Sequence, residues 1–314
     1  MRIIFLGTDP FGIPTLKLLH QTGVEIVAVV TAPPRPQGRG RKPTPSPVAT
    51  FSREIGIEVL TPENPNDLDF VKTLTRYAPE CGVLVAYGVI LREPLLSLPA
   101  HGFINLHPSL LPRYRGPAPI PRQLIDGSQE SGVTVIKIDQ KVDGGEILNQ
   151  IRIPVGSEDT AGELKAKLAQ IGAELIYTTL MEIERGSVKR MPQDERQATF
   201  APKLTSADRV IDWQKSAWEI HNRIRALSPE PGAVTKFRGN RLLILHSRVI
   251  NQQVGLVPGT IVNQTAGLVV ATGSDLLELL ELKPAGKKVM TGRDFCNGYR
   301  LKRGEKLEEP NEKV

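Results

Sequence analysis

Cysteine is scarce in this chain of 314 residues. The two cysteines, Cys81 and Cys296, lie far apart, and neither belongs to a C-x-x-C pair. Disulfide frameworks and structural zinc sites need paired or closely spaced cysteines. The composition therefore predicts a protein of a reducing compartment, the cytoplasm, that holds no metal.

Long apolar runs are also missing. No stretch approaches the roughly 18 apolar residues that a membrane helix needs, and the apolar run at residues 3–6 is too short for a signal peptide. With 40% hydrophobic and 24% charged residues, the chain is neither disordered nor fibrous. We expect a soluble, untargeted monomer without a membrane partner. Its length, about twice that of a typical domain, predicts two packed units.

Acidic residues are in the minority, and the imbalance is uneven. The net charge is +6, from 40 Lys and Arg against 34 Asp and Glu. Residues 206–314 contain 17 basic and 12 acidic residues, and residues 236–303 contain 11 and 4. Such an excess attracts a polyanion of any sequence, although it suits a solvated, solubilising surface equally well.

The first half of the chain alternates short apolar runs with amphipathic stretches, which is the rhythm of βαβ units. This pattern predicts an α/β fold with a Rossmann-like, mainly parallel sheet. The expected strands are 2–6, 25–31, 82–86, 103–107 and 133–138, and the expected helices are 14–21, 67–77 and 160–184. The turn at residues 7–12 lacks the second glycine of G-x-G-x-x-G, which argues against a nicotinamide cofactor.

The pattern changes after residues 190–206, a polar stretch with two prolines that is typical of an inter-domain linker. A helix is expected at 217–226, followed by short β-rich runs at 242–250, 260–262, 268–271 and 276–282. Such spacing predicts a small, OB-like β-barrel. The expected division is a first domain at 1–189, a linker at 190–206 and a barrel domain with a short tail at 207–314.

Two polar residues share one face of the predicted strand at 103–107. Side chains alternate along a strand, so Asn105 and His107 point the same way. Pro108 ends the strand, which places the pair near the carboxyl edge, where open α/β sheets bind ligands. A lone histidine is more often a satisfied core residue. An Asn beside it is costly to bury without partners, and this favours a functional site.

A carboxylate follows the next predicted strand. Asp143 precedes Gly144 and Gly145, which permit a sharp turn that could aim it at the same sheet edge. No G-x-S-x-G motif is present, and neither cysteine lies in a motif beside a histidine. Direct transfer is the simpler chemistry: an amine attacks a formyl or similar acyl carbon, Asn and His donate to the oxyanion, and the carboxylate orients the ring or takes a proton.

A basic stretch lies at residues 33–47, after the second strand. It carries Arg35, Arg39, Arg41 and Lys42 among prolines and glycines, with no acidic residue. We expect an irregular, long loop. A solvated loop is the plain interpretation, but its position after a parallel strand would let its cations reach a phosphate-bearing substrate near Asn105 and His107.

The sequence resembles the methionyl-tRNA formyltransferase family over nearly its whole length. The resemblance depends on 5–8 (FLGT), the basic stretch with 45–47 (PSP), 105–112 (NLHPSLLP), 114–116 (YRG), and 227–232 (LSPEPG). The 105–112 motif is similar to that of enzymes using 10-formyltetrahydrofolate in general, including glycinamide ribonucleotide and sugar-nucleotide formyltransferases. The basic stretch and the basic C-terminal third favour the transfer-RNA enzyme.

The resemblance implies a role for each matching position. Asn105, His107 and Asp143 look like the catalytic residues, and Ser109, Leu110, Leu111 and Pro112 look like the folate-binding loop. Arg39, Arg41 and Lys42 look like the part that approaches the acceptor stem of the initiator tRNA. The barrel domain looks like the part that follows the RNA backbone.

The implied activity is transfer of the formyl group of 10-formyltetrahydrofolate to the α-amino group of methionyl initiator tRNA, for translation initiation. The alternative is formyl transfer to a sugar nucleotide with the same donor, and a non-catalytic RNA-binding protein on the same scaffold ranks below both. Two positions depart from the family pattern: residues 143–146 read DGGE where DTGD is more usual, and Pro121 stands at a commonly polar position.

Overall fold

The chain forms two compact units. The computed structural model describes residues 1–37, 42–263, 267–302 and 304–309. The first unit comprises Met1–Pro119, Glu130–Ile153 and Lys165–Ala201, and the second comprises Ile120–Gln129, Pro154–Leu164 and Pro202–Val314. The domain bounds expected from the sequence do not follow this division residue by residue, and they stay a prediction.

The elements up to residue 184 alternate strands and helices as the sequence pattern predicts. They are β1 Arg2–Gly7, α1 Ile13–Gln21, β2 Glu25–Val30, β3 Arg35–Gln37, β4 Lys42–Thr44, α2 Pro47–Glu54, β5 Val59–Leu60, α3 Leu68–Thr75, β6 Cys81–Val85, β7 Phe103–His107, α4 Pro119–Ile125, β8 Glu130–Lys137, β9 Ile147–Pro154 and α5 Ala161–Glu184. A 3-10 turn at Pro10–Gly12 links β1 to α1.

Seven of these strands form one sheet in the order β5-β2-β1-β6-β7-β8-β9. The pairs from β5 to β7 are parallel, whereas β8 runs antiparallel to β7. Strand β1 is buried on both faces, as its unbroken apolar run requires. The predicted Rossmann-like, mainly parallel sheet is therefore confirmed.

The basic stretch at residues 33–47 is not wholly irregular, so that expectation was wrong for its described part. Strands β3 and β4 pair as an antiparallel ribbon, with Arg35 opposite Thr44 and Pro36 opposite Pro43. Proline lacks an N–H, but every second residue of an antiparallel strand turns its N–H away from the partner. Two prolines facing each other at such a position leave the ladder intact.

The remaining elements are mostly antiparallel strands. They are α6 Ala217–Ala226, β10 Ala233–Phe237, β11 Asn240–Ile250, β12 Ile261–Asn263, β13 Leu268–Ala271, β14 Leu276–Pro284, β15 Met290–Thr291, α7 Gly292–Tyr299 and β16 Leu307–Glu308. Ser216 and Glu219 form the capping box that begins α6. Short 3-10 turns precede this region at Glu195–Gln197 and Ala207–Arg209.

These strands form a nearly closed barrel in the order β12-β13-β14-β11-β10-β16, and β15 pairs with β14. An antiparallel bridge between Thr260 and Lys306 brings the two ends of the order together. The interior is filled by apolar side chains that include Trp213, Ile244 and Phe295. The predicted small C-terminal barrel is confirmed. No helix among the residues described is both long and apolar enough to span a membrane.

Candidate active site

Strand β7 presents two polar side chains on one face. All five of its residues are buried, and the strand lies inside the sheet, with β6 paired on one side and β8 on the other. Alternation along the strand puts Asn105 and His107 on one face and Ile104 and Leu106 on the other. Asn105 is 9% exposed and His107 is 4% exposed. Polar groups buried to this degree need partners.

A backbone carbonyl holds the imidazole of His107. The Nε2 atom lies 2.8 Å from the carbonyl oxygen of Tyr114. A carbonyl oxygen only accepts hydrogen bonds, so Nε2 carries a hydrogen and donates it. The other ring nitrogen, Nδ1, faces Asp143, and 3.5 Å separates it from Oδ2 of that carboxylate. The two side chains form an ion pair whenever the ring is protonated.

Asp143 approaches both polar groups of β7 from a different part of the chain. Its Oδ1 accepts a hydrogen bond of 3.4 Å from Nδ2 of Asn105, and its Oδ2 accepts one of 2.8 Å from the backbone N–H of Gly116. Its side chain is 15% exposed. The structure thus brings together the three residues that the sequence analysis selected, Asn105, His107 and Asp143.

The Asp143 loop, residues 139–146, has unusual backbone geometry. Strand β8 is antiparallel to β7, so it ends beside Ile104 and the loop must carry Asp143 back to the polar pair. Asp143 has φ of +51°, in the left-handed region that non-glycine residues seldom occupy. A Cβ at position 145 would lie 1.8 Å from the carbonyl oxygen of Lys137. Only glycine at 145 allows the loop to pass so close to β8.

One residue outside the predicted site, Gln193, contacts this loop, and a second, Arg115, holds Gln193. Gln193 donates from Nε2 to the carbonyl oxygens of Asp143 and Gly145, at 2.8 Å each. Its Oε1 accepts hydrogen bonds of 3.0 and 2.8 Å from Nε and Nη2 of Arg115, which is 4% exposed. Arg115 belongs to a quoted motif, but Gln193 lies in a polar stretch whose pattern carries no signal.

The 193–201 segment, which contains Gln193, also anchors the backbone on the other side of the polar pair. Arg115 N–H donates to the carbonyl of Thr199 at 2.9 Å, and Ala201 N–H donates to the carbonyl of Arg115 at 2.7 Å. The hydroxyl of Thr199 accepts from Tyr114 N–H at 2.9 Å. The carbonyl of Tyr114 and the N–H of Gly116, which contact His107 and Asp143, are therefore fixed from this segment.

The expected folate-binding loop, residues 109–112, follows β7 directly. Ser109 is fully buried, and its hydroxyl donates to the carbonyl of Arg113 at 2.6 Å. Leu111 is buried against Ile136 and Ile147. Leu110 and Pro112 are half-buried. The buried side chains of Ser109 and Leu111 therefore shape the loop from inside, whereas those of Leu110 and Pro112 remain partly accessible.

The three basic residues expected to approach RNA are only partly described. Arg39 and Arg41 lie outside the described residues. Lys42 begins β4, opposite Gln37 in the ribbon, and its side chain is exposed. An exposed lysine on a two-stranded ribbon is free to meet an anion, since a phosphate contact needs only a cation that reaches it.

The thiols offer no activated nucleophile. Cys81 is fully buried, and burial raises the pKa of its thiol to about 12. Burial also raises the pKa of Cys296. A thiol needs a lowered pKa to attack at neutral pH. Within residues 1–37, 42–263, 267–302 and 304–309, no group of three or more His, Cys, Asp and Glu side chains is placed to hold a metal ion.

Two family models of formyl transferases match most of the chain. Residues 1–180 match the family model described as formyl transferase, and residues 203–300 match the model of the formyl transferase C-terminal domain. The catalytic candidates of β7 and the Asp143 loop lie in the first match, and the barrel strands from β10 to β15 lie in the second.

Curated relatives match over nearly the entire chain. A methionyl-tRNA formyltransferase of Roseiflexus sp. (strain RS-1) is 42% identical over 98% of this chain and 95% of its own. One of Halalkalibacterium halodurans is 41% identical over 95% of each chain.

Solved structures share the fold at much lower identity. A sugar 3N-formyl transferase aligns with a TM-score of 0.67 and 19% identity, over 92% of this chain and 99% of its own. A methionyl-tRNA formyltransferase from Clostridium thermocellum aligns with a TM-score of 0.55 and 16% identity, over 81% and 95%. On the strength of the curated relatives, the chain belongs to the methionyl-tRNA formyltransferase family.

Proposed function

We propose that this protein transfers the formyl group of 10-formyltetrahydrofolate to the α-amino group of methionyl initiator tRNA. The observation that carries the proposal is the meeting of Asn105, His107 and Asp143 at one end of β7, in a chain of this family. An amide nitrogen at 3.4 Å and an imidazole nitrogen at 3.5 Å from one carboxylate suit acyl transfer to an amine without a covalent enzyme intermediate.

The reaction requires a bond to form, a bond to break and a proton to move. The amine nitrogen attacks the formyl carbon and gives a tetrahedral oxyanion and an ammonium group. Asn105 Nδ2–H and a protonated His107 Nδ1 are the donors for that oxyanion, because Nε2 already donates to Tyr114. Asp143 accepts the ammonium proton or orients the ring. The bond between the formyl carbon and N10 then breaks, and N10 takes up a proton.

The loop at residues 109–112 suits the folate donor. Leu110 and Pro112 are apolar and half-buried, which fits a planar pterin ring. Ser109 and Leu111 keep the loop in place, because Thr134 donates to the carbonyl of Ser109 at 2.6 Å and Gln150 donates to the carbonyl of Leu111 at 3.0 Å.

The exposed cations of the barrel domain suit the RNA part of the substrate. Within residues 236–302, Arg238 and Arg248 pair with Glu305 and Glu278. Other basic side chains of this stretch are exposed: Arg241, Lys283, Lys287, Lys288, Arg293, Arg300 and Lys302. Such a set attracts phosphates without reading sequence, so it supports affinity for tRNA rather than choice of the initiator. We assign the same role to Arg39, Arg41 and Lys42.

The division of labour that we propose keeps the bounds drawn from the sequence. Residues 1–189 carry the transfer reaction, 190–206 join the two parts, and 207–314 bind tRNA. We expect a cytoplasmic monomer, since the substrate is a component of translation and the site draws its groups from one chain.

One assay tests the proposal against its main rival. The protein is incubated with 10-formyltetrahydrofolate and, separately, charged initiator tRNA, charged elongator tRNA or a nucleotide-linked amino sugar. We expect formylation of the initiator alone at a useful rate. Formylation of the amino sugar instead would replace the proposed substrate with a sugar nucleotide, and RNA binding without any product would point to a non-catalytic role.

A further inference from the structure

We propose that Gln193 is a positioning residue that holds Asp143 in reach of Asn105 and His107. Gln193 stands 50 residues from Asp143 in sequence, but its amide donates to the backbone carbonyls on both sides of Gly144, those of Asp143 and Gly145. The side chain of Asp143 is thereby placed through its own main chain. The inference rests on the proposed function, because it concerns the geometry of that same site.

The orientation of the Gln193 amide is set by Arg115. Two N–H groups of Arg115 donate to Oε1 of Gln193, so the NH₂ end of the amide must turn toward the Asp143 loop. On its other side Arg115 donates to Oε2 of Glu195 at 2.9 Å. The hydrogen bond from Arg115 lowers the pKa of that carboxyl group. The arginine is buried and engaged at both ends.

The Asp143 loop needs such support because its conformation is unfavourable by itself. The left-handed φ of Asp143 is unfavourable for a residue with a side chain, and it persists when surrounding contacts determine it. The distances from the Asp143 carboxylate to Asn105 Nδ2 and His107 Nδ1 are 3.4 and 3.5 Å, at the limit of hydrogen bonding. A loop shift of about 1 Å would break both contacts, and displacements of this size typically slow catalysis by up to 10²-fold.

Two substitutions separate the possible roles of Gln193. Gln193→Met keeps the length of the side chain and removes all of its hydrogen bonds. Gln193→Glu still accepts from Arg115 but cannot donate to the two carbonyls. If donation to the loop is what matters, both variants lower kcat by about 10- to 100-fold, while KM for the folate and the amine acceptor changes less than about threefold.

The matched control is Gln197→Met in the same segment. Gln197 is exposed and donates to the carboxylate of Asp194 at 3.1 Å. We expect wild-type kcat from this variant. Thermal unfolding of all three proteins reports whether each is folded under the assay conditions. Wild-type kcat in Gln193→Glu would overturn the inference, because donation to the carbonyls would then have no effect on catalysis.

A double-mutant cycle distinguishes positioning from a general structural role. Gln193→Met is combined with Asp143→Ala and measured in single turnovers. If Gln193 acts through Asp143, it costs about 10- to 100-fold in the native background but less than about twofold once the carboxylate is gone. The same factor in both backgrounds would mean that Gln193 only stabilises the fold.

A spectroscopic measurement keeps this inference separate from the choice of substrate. The ¹⁵N resonances of the His107 ring are recorded in each variant without any acceptor. Both Gln193→Met and Asp143→Ala should shift them, and Gln197→Met should not. Failure of wild-type protein to formylate charged initiator tRNA would remove the proposed function alone, whereas unchanged His107 resonances in Gln193→Met would remove the positioning role alone.

Discussion

His107 donates its Nε2 hydrogen to the carbonyl oxygen of Tyr114 over 2.8 Å. This hydrogen bond determines which nitrogen of the imidazole is available for the reaction. Because Nε2 is engaged with the backbone, Nδ1, which lies 3.5 Å from Oδ2 of Asp143, is the ring nitrogen left for the reaction. The backbone of Tyr114 therefore acts as the fixed support of the imidazole, and it is itself anchored by the hydroxyl of Thr199.

Removing either oxyanion donor should slow the transfer itself. We expect His107→Ala and Asn105→Ala each to lower kcat by about 10²- to 10³-fold with binding of both substrates largely retained, which is the usual cost of one such donor. The measurement is single-turnover formylation of charged initiator tRNA. His101→Ala is the matched control, because His101 is exposed and precedes β7. Unchanged turnover in both variants would end the assignment.

Most elements of the fold could be predicted from local patterns in the sequence. The strand at Phe103–His107 and the helix at Ala217–Ala226 lie where they were expected, because alternation of side chains and apolar periodicity depend on neighbours in sequence. The ribbon of β3 and β4 was missed, since proline weakens every local strand signal. The antiparallel direction of β8 depends on contacts that no local pattern records.

The candidate site also has features that the sequence predicts and features that depend on tertiary packing. Asn105 and His107 are two residues apart, so their shared face follows from strand geometry alone. The contact of Asp143 with them could be suggested from its glycine turn, but its left-handed backbone could not. The contact between Arg115 and Gln193 spans 78 residues and joins two irregular segments. Such pairings arise from tertiary packing, which a single sequence does not display.

Adding a methyl group at Gly145 should disturb the reaction through the Asp143 loop. The new Cβ would meet the carbonyl oxygen of Lys137 at 1.8 Å, so the loop must move away from β8. We expect Gly145→Ala to lower kcat by about 10- to 100-fold. Formylation kinetics with a circular-dichroism check of folding test this. Gly255→Ala is the control, because a Cβ there has no atom within 4 Å; equal kcat in the two variants would contradict the prediction.

The ion pair of Arg122 and Asp208 makes the stability of the second unit depend on pH. Burial acts to raise the pKa of Asp208, but the hydrogen bonds from Arg122 and Thr205 outweigh it and lower that pKa from 3.8 to about 2. A carboxyl group whose pKa is lowered by folding stabilises the protein at any pH above the pKa that it has in the unfolded chain. This stabilisation is lost as the pH falls through the pKa that it has in the folded chain. The contribution is therefore full above about pH 4 and vanishes toward pH 2.

Asp208→Asn tests this linkage. We expect it to lower the free energy of unfolding by about 1–2 kcal/mol at pH 7, and the difference from wild type to shrink as the pH falls below about 4. Urea unfolding from pH 7 down to pH 3 measures it. Glu281→Gln, at an exposed position of β14, should show a small difference at pH 7. A difference for Asp208→Asn that stays constant with pH would refute the assigned cause.

The salt dependence of tRNA affinity should show whether the basic ribbon of β3 and β4 contacts RNA. If Lys42 contacts a phosphate, Lys42→Ala raises KM for charged tRNA and reduces the slope of log affinity against log salt by about one. Activity on a small amine acceptor should stay the same, since no phosphate is then involved. Lys17→Ala, at an exposed position of α1, is the control. Equal salt slopes in wild type and Lys42→Ala would exclude this lysine from the RNA contact.

Two glycines of α7 should respond in opposite ways to the same substitution. Gly298 is exposed, and a Cβ there meets nothing within 4 Å, so Gly298→Ala removes only the entropic cost of glycine in a helix and should stabilise the second unit by about 0.5–1 kcal/mol. A Cβ at Gly292 would lie 2.1 Å from the carbonyl oxygen of Leu279 and 3.1 Å from the Leu268 side chain. Gly292→Ala should therefore destabilise the barrel by more than about 1 kcal/mol. Urea midpoints of the two variants check the pair, and equal shifts of the same sign would mean that α7 does not pack against β13 and β14 as closely as described.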